Sequence, residues 1–216
     1  MALVAPFLTF TIEVSTFCFA KSSRIIRPSA SSPTVPTNAA RIPSAAAKVL
    51  HLDGHNAAGA IVAAKVAREA GVTIMYDAGT HRDGMNELLP LADLLICSEE
   101  FILKLTGLKD AEEAVRQVWA KYHPKVCGAT MGVRGSMAFD GKYFVRCPAF
   151  KVEKVVDTTG CGDLFHTGFA IRYLETQDLM ECQRFGAAVS AIKCRGLSGR
   201  PPSAPTRAEV EAFLNQ

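Results

Sequence analysis

The chain has 216 residues, 49% of them hydrophobic and 21% charged, with a formal net charge of +3. These proportions belong to a globular domain long enough to bury a core, and they exclude collagen-like, low-complexity and wholly disordered classes. The Lys and Arg residues are scattered and form no basic block, so no nucleic-acid partner is expected. Seven cysteines, an odd number without a CxxC pair, fit free buried thiols in a reducing compartment rather than a disulfide framework.

Residues 1–47 differ from the remainder. The run MALVAPFLTFTIEVSTFCFA is apolar but carries Glu13 and no positive leading region. It makes a poor secretory signal, and it is too short and interrupted for a membrane span, so no membrane partner is expected. The following KSSRIIRPSASSPTVPTNAARIPSAAA is rich in Ser, Pro, Ala and Arg and lacks acids. A disordered linker, an organelle transit peptide and a gene-model artefact all fit that composition. The expected domain division is therefore an atypical segment 1–47 and a domain 48–216, in a cytoplasmic protein or one sent to an organelle by residues 1–47.

From Lys48 a strand-helix alternation sets in. VLHLD reads as a buried strand, and Asn56 caps a helix over AAGAIVAAKVAREAG that closes at Gly71. VTIMYDAG is a second strand. MNELLPLA is a short helix leading to the strand DLLICS, and EEFILKLTG is a helix stopped by Gly107. Asp110 and Glu113 form a capping-box pattern for AEEAVRQVWAKY, whose Trp119 anchors it to the core. KVCGATMG is the next strand, and SMAF and KYFVRC flank Asp140-Gly141 as a hairpin. VEKVV then reads as a strand running into DTTGCGD and the helix DLFHTGFAIRYLE.

This alternation predicts an α/β fold, a mostly parallel sheet with helices on both faces. Ligands in such sheets sit beyond the carboxyl ends of the strands. Asp53 and Asp77 stand at two of those ends, where a capped loop and a substrate-side role are equally good readings. His51 and His55, four apart, fall at a strand end and a turn without further zinc ligands.

The stretch with most chemical content is Asp157 to Asp163. Gly160 and Gly162 let the backbone bend and present N–H groups at a helix N-terminus, where the dipole favours anions. A carboxylate beside such an anion hole, Asp163, suits phosphoryl transfer, taking the proton of an attacking hydroxyl. A plain glycine turn with Asp163 as a helix-start charge is the competing reading. His166, one turn further, reads as a helix residue packing on the sheet. A Walker loop fails over Gly135 to Lys142, because five residues separate the glycines and Tyr143 replaces Ser/Thr. A GxGxxG fingerprint also fails, since Phe165 holds the third glycine position.

DTTGCGDLFHTGFA resembles the second signature of the PfkB, or ribokinase-like, carbohydrate kinases, DTxGAGD followed by an F-x-x-G-F-type helix. ATMGVRGSMAFDG is similar to the family's T-x-G-x-x-G strand and turn, and FGAAVSAIKCRGLSGRPPSAPTRAEVEAFL to its closing helix, Gly-rich loop and last helix. The resemblance covers roughly residues 48 to 216. It implies a ribokinase-like three-layer sandwich that transfers a phosphoryl group from ATP to a sugar, with Mg²⁺ on the phosphates. It implies that Asp163 is the general base, and that Gly160, Cys161 and Gly162 supply N–H groups to the transferring phosphate. Thr130, Gly132, Gly135 and Gly196 would line the nucleotide, and Asp157 and Thr159 would hold a monovalent cation, K⁺.

Two departures accompany it. The family's N-terminal sugar-binding Gly-Gly motif and lid have no match before Lys48, so a truncated, non-catalytic nucleotide-binding remnant is the alternative reading. Loss of leading strands would expose a sheet edge and favour a homodimer or other association there. The N-x-x-E motif that helps hold Mg²⁺ is replaced by Ser98-Glu99-Glu100-Phe101, leaving Glu100 or Glu99 as the metal-side acid.

Overall fold

A computed structural model describes the backbone of residues 17–20 and the whole of residues 47–198 and 203–216. Seven strands form one sheet: β1 (Phe17–Ala20), β2 (Val49–Leu52), β3 (Thr73–Ala78), β4 (Leu94–Ser98), β5 (Val126–Thr130), β6 (Ser136–Phe139) and β7 (Phe144–Cys147). Seven α-helices accompany them: α1 (Ala57–Glu69), α2 (Met85–Leu88), α3 (Glu99–Thr106), α4 (Ala111–Tyr122), α5 (Cys161–Thr176), α6 (Leu179–Lys193) and α7 (Arg207–Leu214). Spatial order follows chain order from β1 to β7. β1 to β5 run parallel, and the β5–β6 and β6–β7 pairs are antiparallel.

Side-chain alternation along each strand divides the core into two layers. Leu50, Leu52, Ile74, Tyr76, Leu95 and Cys127 face α1, α3 and α4, meeting Ala64, Phe101 and Val115. Val49, Met75, Leu94, Ile96 and Val126 face the opposite way, onto Phe165, Phe169 and Ala170 of α5 and Cys182 of α6. α7 closes over α5 and α6 through Val210. The result is the expected three-layer α/β sandwich, with α5 and α6 as one whole layer.

The helices begin where capping chemistry is available. Asn56, Ser98, Asp110 and Asp178 each accept the backbone N–H three residues on, and Thr206 with Glu209 makes a reciprocal capping box. α5 begins differently. Its N-cap is Gly160 in the left-handed region at φ 79°, with no side chain on its first N–H groups.

Two sequence expectations change. VEKVV is not a strand: Val155 and Val156 are exposed, and Val156 N–H donates to Cys194 O at 2.7 Å at the end of α6. The antiparallel strands β6 and β7 have already taken that edge of the sheet, so alternation without a partner strand yields irregular backbone. At the other end, β2 is not the edge, because Phe17–Ala20 pairs with it in register from Phe17↔Val49 to Ala20↔Leu52. The rest of residues 1–46, including the linker and targeting readings, lies outside the described residues. Among the described residues no helix is long and apolar enough to cross a membrane.

Candidate active site

The loop ahead of α5 is built from the Asp157 carboxylate outward. One oxygen accepts Thr159 N–H at 2.9 Å, turning the chain, and the other accepts Ser198 N–H at 2.8 Å. Lys193, fully buried at the end of α6, donates to Asp157 O at 2.5 Å and lies 3.3 Å from the same carboxylate. The Thr159 bonds, followed by those from Ser198 and Lys193, hold the Asp157 carboxyl well below the usual carboxylate range. The bonds to Ser198 and Lys193 tie the α6–α7 loop to this one, bringing Gly196 alongside. The Gly196 carbonyl lies 3.5 Å from the same ammonium, and a Cβ at Gly196 would collide with the Ser203 hydroxyl.

The loop then presents its backbone. Cys161 N–H turns inward to Thr158 O at 3.1 Å, so this one of the three expected phosphate donors is already engaged. The first intrahelical bond is Leu164 N–H to Gly160 O at 3.0 Å, which leaves Gly162 among the leading N–H groups of the helix. Gly162 has a φ outside the left-handed range, and a Cβ there would meet no protein atom within 4 Å. Neither backbone strain nor packing calls for glycine at this position. The Cys161 thiol points away from that opening, 3.2 Å from Cys194 Sγ, and burial pushes it up to about 12, the neighbouring thiol adding to the effect. It is therefore a packed, protonated thiol rather than a nucleophile.

His166 fixes where this helix start sits. It is 2% exposed, with Nδ1 2.6 Å from Gly162 O and 3.4 Å from an Asp77 carboxylate oxygen, and Nε2 3.3 Å from Ile96 O. It packs on the sheet as expected. It also binds the first turn of α5 to the ends of β3 and β4, a role that the sequence left unread.

The other expected residues fall in a neighbouring group. Thr130 ends β5 and its hydroxyl donates to Cys97 O at 3.4 Å. The Gly132–Arg134 turn follows, closed by Met131 N–H to Gly135 O at 2.8 Å. Gly135, at φ 93°, is required by the turn itself, because a Cβ would run into the Cys147 carbonyl. Arg134 reaches the first turn of α3 and pairs with Glu99, while Glu100 beside it is exposed. Phe101, at the fourth position of the replaced N-x-x-E motif, is buried in the core. Among the described residues no three His, Cys, Asp or Glu side chains cluster as a metal-binding group, so Asp157 and Glu100 do not share one.

A cavity of about 490 Å³ opens past β2 and β3, lined by Gly54 to Ala57 and His81 to Asp83. In its wall Arg82 lies 3.0 Å from His55 Nε2, and His55 Nδ1 lies 3.1 Å from the Asp53 carboxylate. Arg82 has only donors, so Nε2 accepts and Nδ1 carries the proton toward Asp53. Asp53 thus holds His55, a wall residue of this cavity, from behind.

The family model for pfkB family carbohydrate kinases matches residues 25–207. The chain belongs to the pfkB carbohydrate kinase family. The pfkB match starts ahead of Lys48, where the visible resemblance begins. The ribokinase of Arabidopsis thaliana is 35% identical over 160 residues, covering 71% of this chain and 42% of that protein. The ribokinase of Haemophilus influenzae is 33% identical over 162 residues, covering 72% and 52%. The chain thus spans about half the length of these curated relatives. The solved structure of Arabidopsis thaliana ribokinase complexed with ribose and ATP superposes with a TM-score of 0.68 at 30% identity, covering 79% of this chain and 56% of that one.

Proposed function

We propose that this pfkB-family chain transfers the γ-phosphoryl group of ATP to a hydroxyl of a sugar. The observation that carries the reading is the start of α5: an uncapped helix N-terminus beside Asp163, with a glycine, Gly162, that nothing in the protein explains. A structural neighbour solved with ribose and ATP supports the choice of ligands.

In this reading the N–H of Gly162 and the positive end of the α5 dipole face the oxygens of the phosphoryl group in transit. Asp163 accepts the proton of the attacking hydroxyl as its oxygen bonds to phosphorus, and the bond to the bridging oxygen of ADP breaks. Mg²⁺ bound with the nucleotide would supply charge neutralisation on the phosphates, and Glu100 would hold its waters. Gly132 and Gly135 shape the turn on which the nucleotide lies, and Gly196 the loop over it. The cavity beside Asp53 and His55 takes the sugar.

The test is sugar-dependent ADP release by the wild type and Asp163→Asn across a panel of pentoses and hexoses. Turnover should fall by about 10²–10⁴-fold in the variant, while Mg·ADP affinity stays within about threefold. Equal turnover in the two proteins would remove Asp163 from the role of base. Nucleotide binding without turnover on any sugar would favour the remnant reading.

A further inference from the structure

The loop that resembles a potassium site already holds a cation. Lys193 is the only lysine among the buried residues described, at 0% exposure. Its ammonium has three N–H donors and finds three oxygens: Asp157 O at 2.5 Å, an Asp157 carboxylate oxygen at 3.3 Å and Gly196 O at 3.5 Å. The carboxylate's remaining capacity goes to Thr159 N–H at 2.9 Å and Ser198 N–H at 2.8 Å. A potassium ion at Asp157 would need the oxygens that Lys193 uses. It would also place a second positive charge against a buried ammonium, with one carboxylate between them, and like charges at such range repel strongly away from water. The described residues around Asp157 therefore do not fit a potassium ion.

We propose that Lys193 is a built-in replacement for the monovalent cation, so that the loop before α5 is formed without potassium. The ammonium bridges the Asp157–Gly162 loop to the Cys194–Ser198 loop, which is the mechanical task of a cation between two runs of carbonyl oxygens. Being tethered, it cannot dissociate, and the anion-binding turn stays formed whatever the salt. The consequence for nucleotide binding rests on the kinase reading above; the replacement itself does not.

Two readouts separate these claims. The first is thermal melting of the purified chain without nucleotide, in 0.1 M KCl and in 0.1 M tetramethylammonium chloride. A vacant site with a dissociation constant of about 10 mM would raise Tm by roughly 3–6 °C in potassium. Wild type should differ by less than about 1 °C between the salts, and Lys193→Met, of similar length without charge, should gain the potassium response. The second is calorimetry of Mg·ADP in the same buffers, where wild-type affinity should agree within about twofold. A saturable rise of wild-type Tm or affinity with potassium overturns the proposal. So does a folded Lys193→Met chain that stays indifferent to potassium. Should Lys193→Met fail to fold, the wild-type comparison decides, joined by Lys193→Arg, which keeps the charge and should stay indifferent. Absence of ADP binding would sink the kinase reading and leave the melting test standing.

Discussion

A methyl group at Gly162 would touch nothing in the protein. Gly162→Ala should therefore leave Tm within about 2 °C of wild type, since alanine suits a helix start at ordinary φ. It should nonetheless weaken Mg·ADP binding about tenfold or more, because the methyl group fills the space that a phosphate approaches. A variant that loses stability and affinity together would mark Gly162 as an ordinary packing residue. Asp157 makes the complementary case. Its carboxyl is held low by hydrogen bonds from Thr159, Ser198 and Lys193. A depressed carboxyl stabilises the fold above its unfolded pKa of about 3.9, and that stabilisation fades as pH falls through the folded value. Wild type should thus melt above Asp157→Asn at pH 6, with the gap beginning to narrow only as pH falls below about 4; a gap independent of pH would contradict an ionic origin. Sequence singled out Asp157, Gly160, Gly162 and Asp163 as candidates because glycine spacing and a helix-start acid leave a local signature. Lys193 was hidden, because a lysine closing a helix is ordinary dipole chemistry, and only the fold brings the Asp157 carbonyl to it. His166 was half legible: its burial follows from the helix, but its contacts with Gly162, Ile96 and Asp77 join three separate elements.

At the scale of elements, α5 and α6 carry the site and pack more closely than ordinary side chains permit. A Cβ at Gly168 would stand 3.1 Å from Gly186 Cα, and one at Gly186 would stand 2.8 Å from Phe165 O. The backbone of α5 cannot yield without moving the Phe165 ring off the sheet. Gly186→Ala should therefore cost about 1–3 kcal/mol, read as a lower urea midpoint at unchanged m-value. Unaltered stability would show that the helix pair has slack. The helix starts were readable from Asn56 and Asp110 because caps are local chemistry, and the end of α4 at Tyr122 was readable too, although it closes on His123 at φ 51° rather than on a glycine. VEKVV marks the limit of local reading, since an alternating pattern says which side a residue faces but not whether a neighbouring strand remains to pair with it.

Across the whole molecule, the four parallel strands β2 to β5 deliver Asp53, Asp77, Ser98 and Thr130 to one end of the sheet, and α5 starts over that same end. The order of strands and helices was legible because each is short, periodic and punctuated. The pairing of Phe17–Ala20 with β2 was not, because an apolar run preceding a long polar stretch carries no register of its own. The kinase reading stands or falls on whether the turn from Asp157 to Asp163 binds the phosphates of a nucleotide, which calorimetric titration of Mg·ADP into the purified chain decides. Saturable binding at one site per chain is expected, with the same affinity in potassium and tetramethylammonium salts. A cooperatively melting chain that gives no binding heat at any temperature tried, and no displacement of a fluorescent nucleotide, would contradict it.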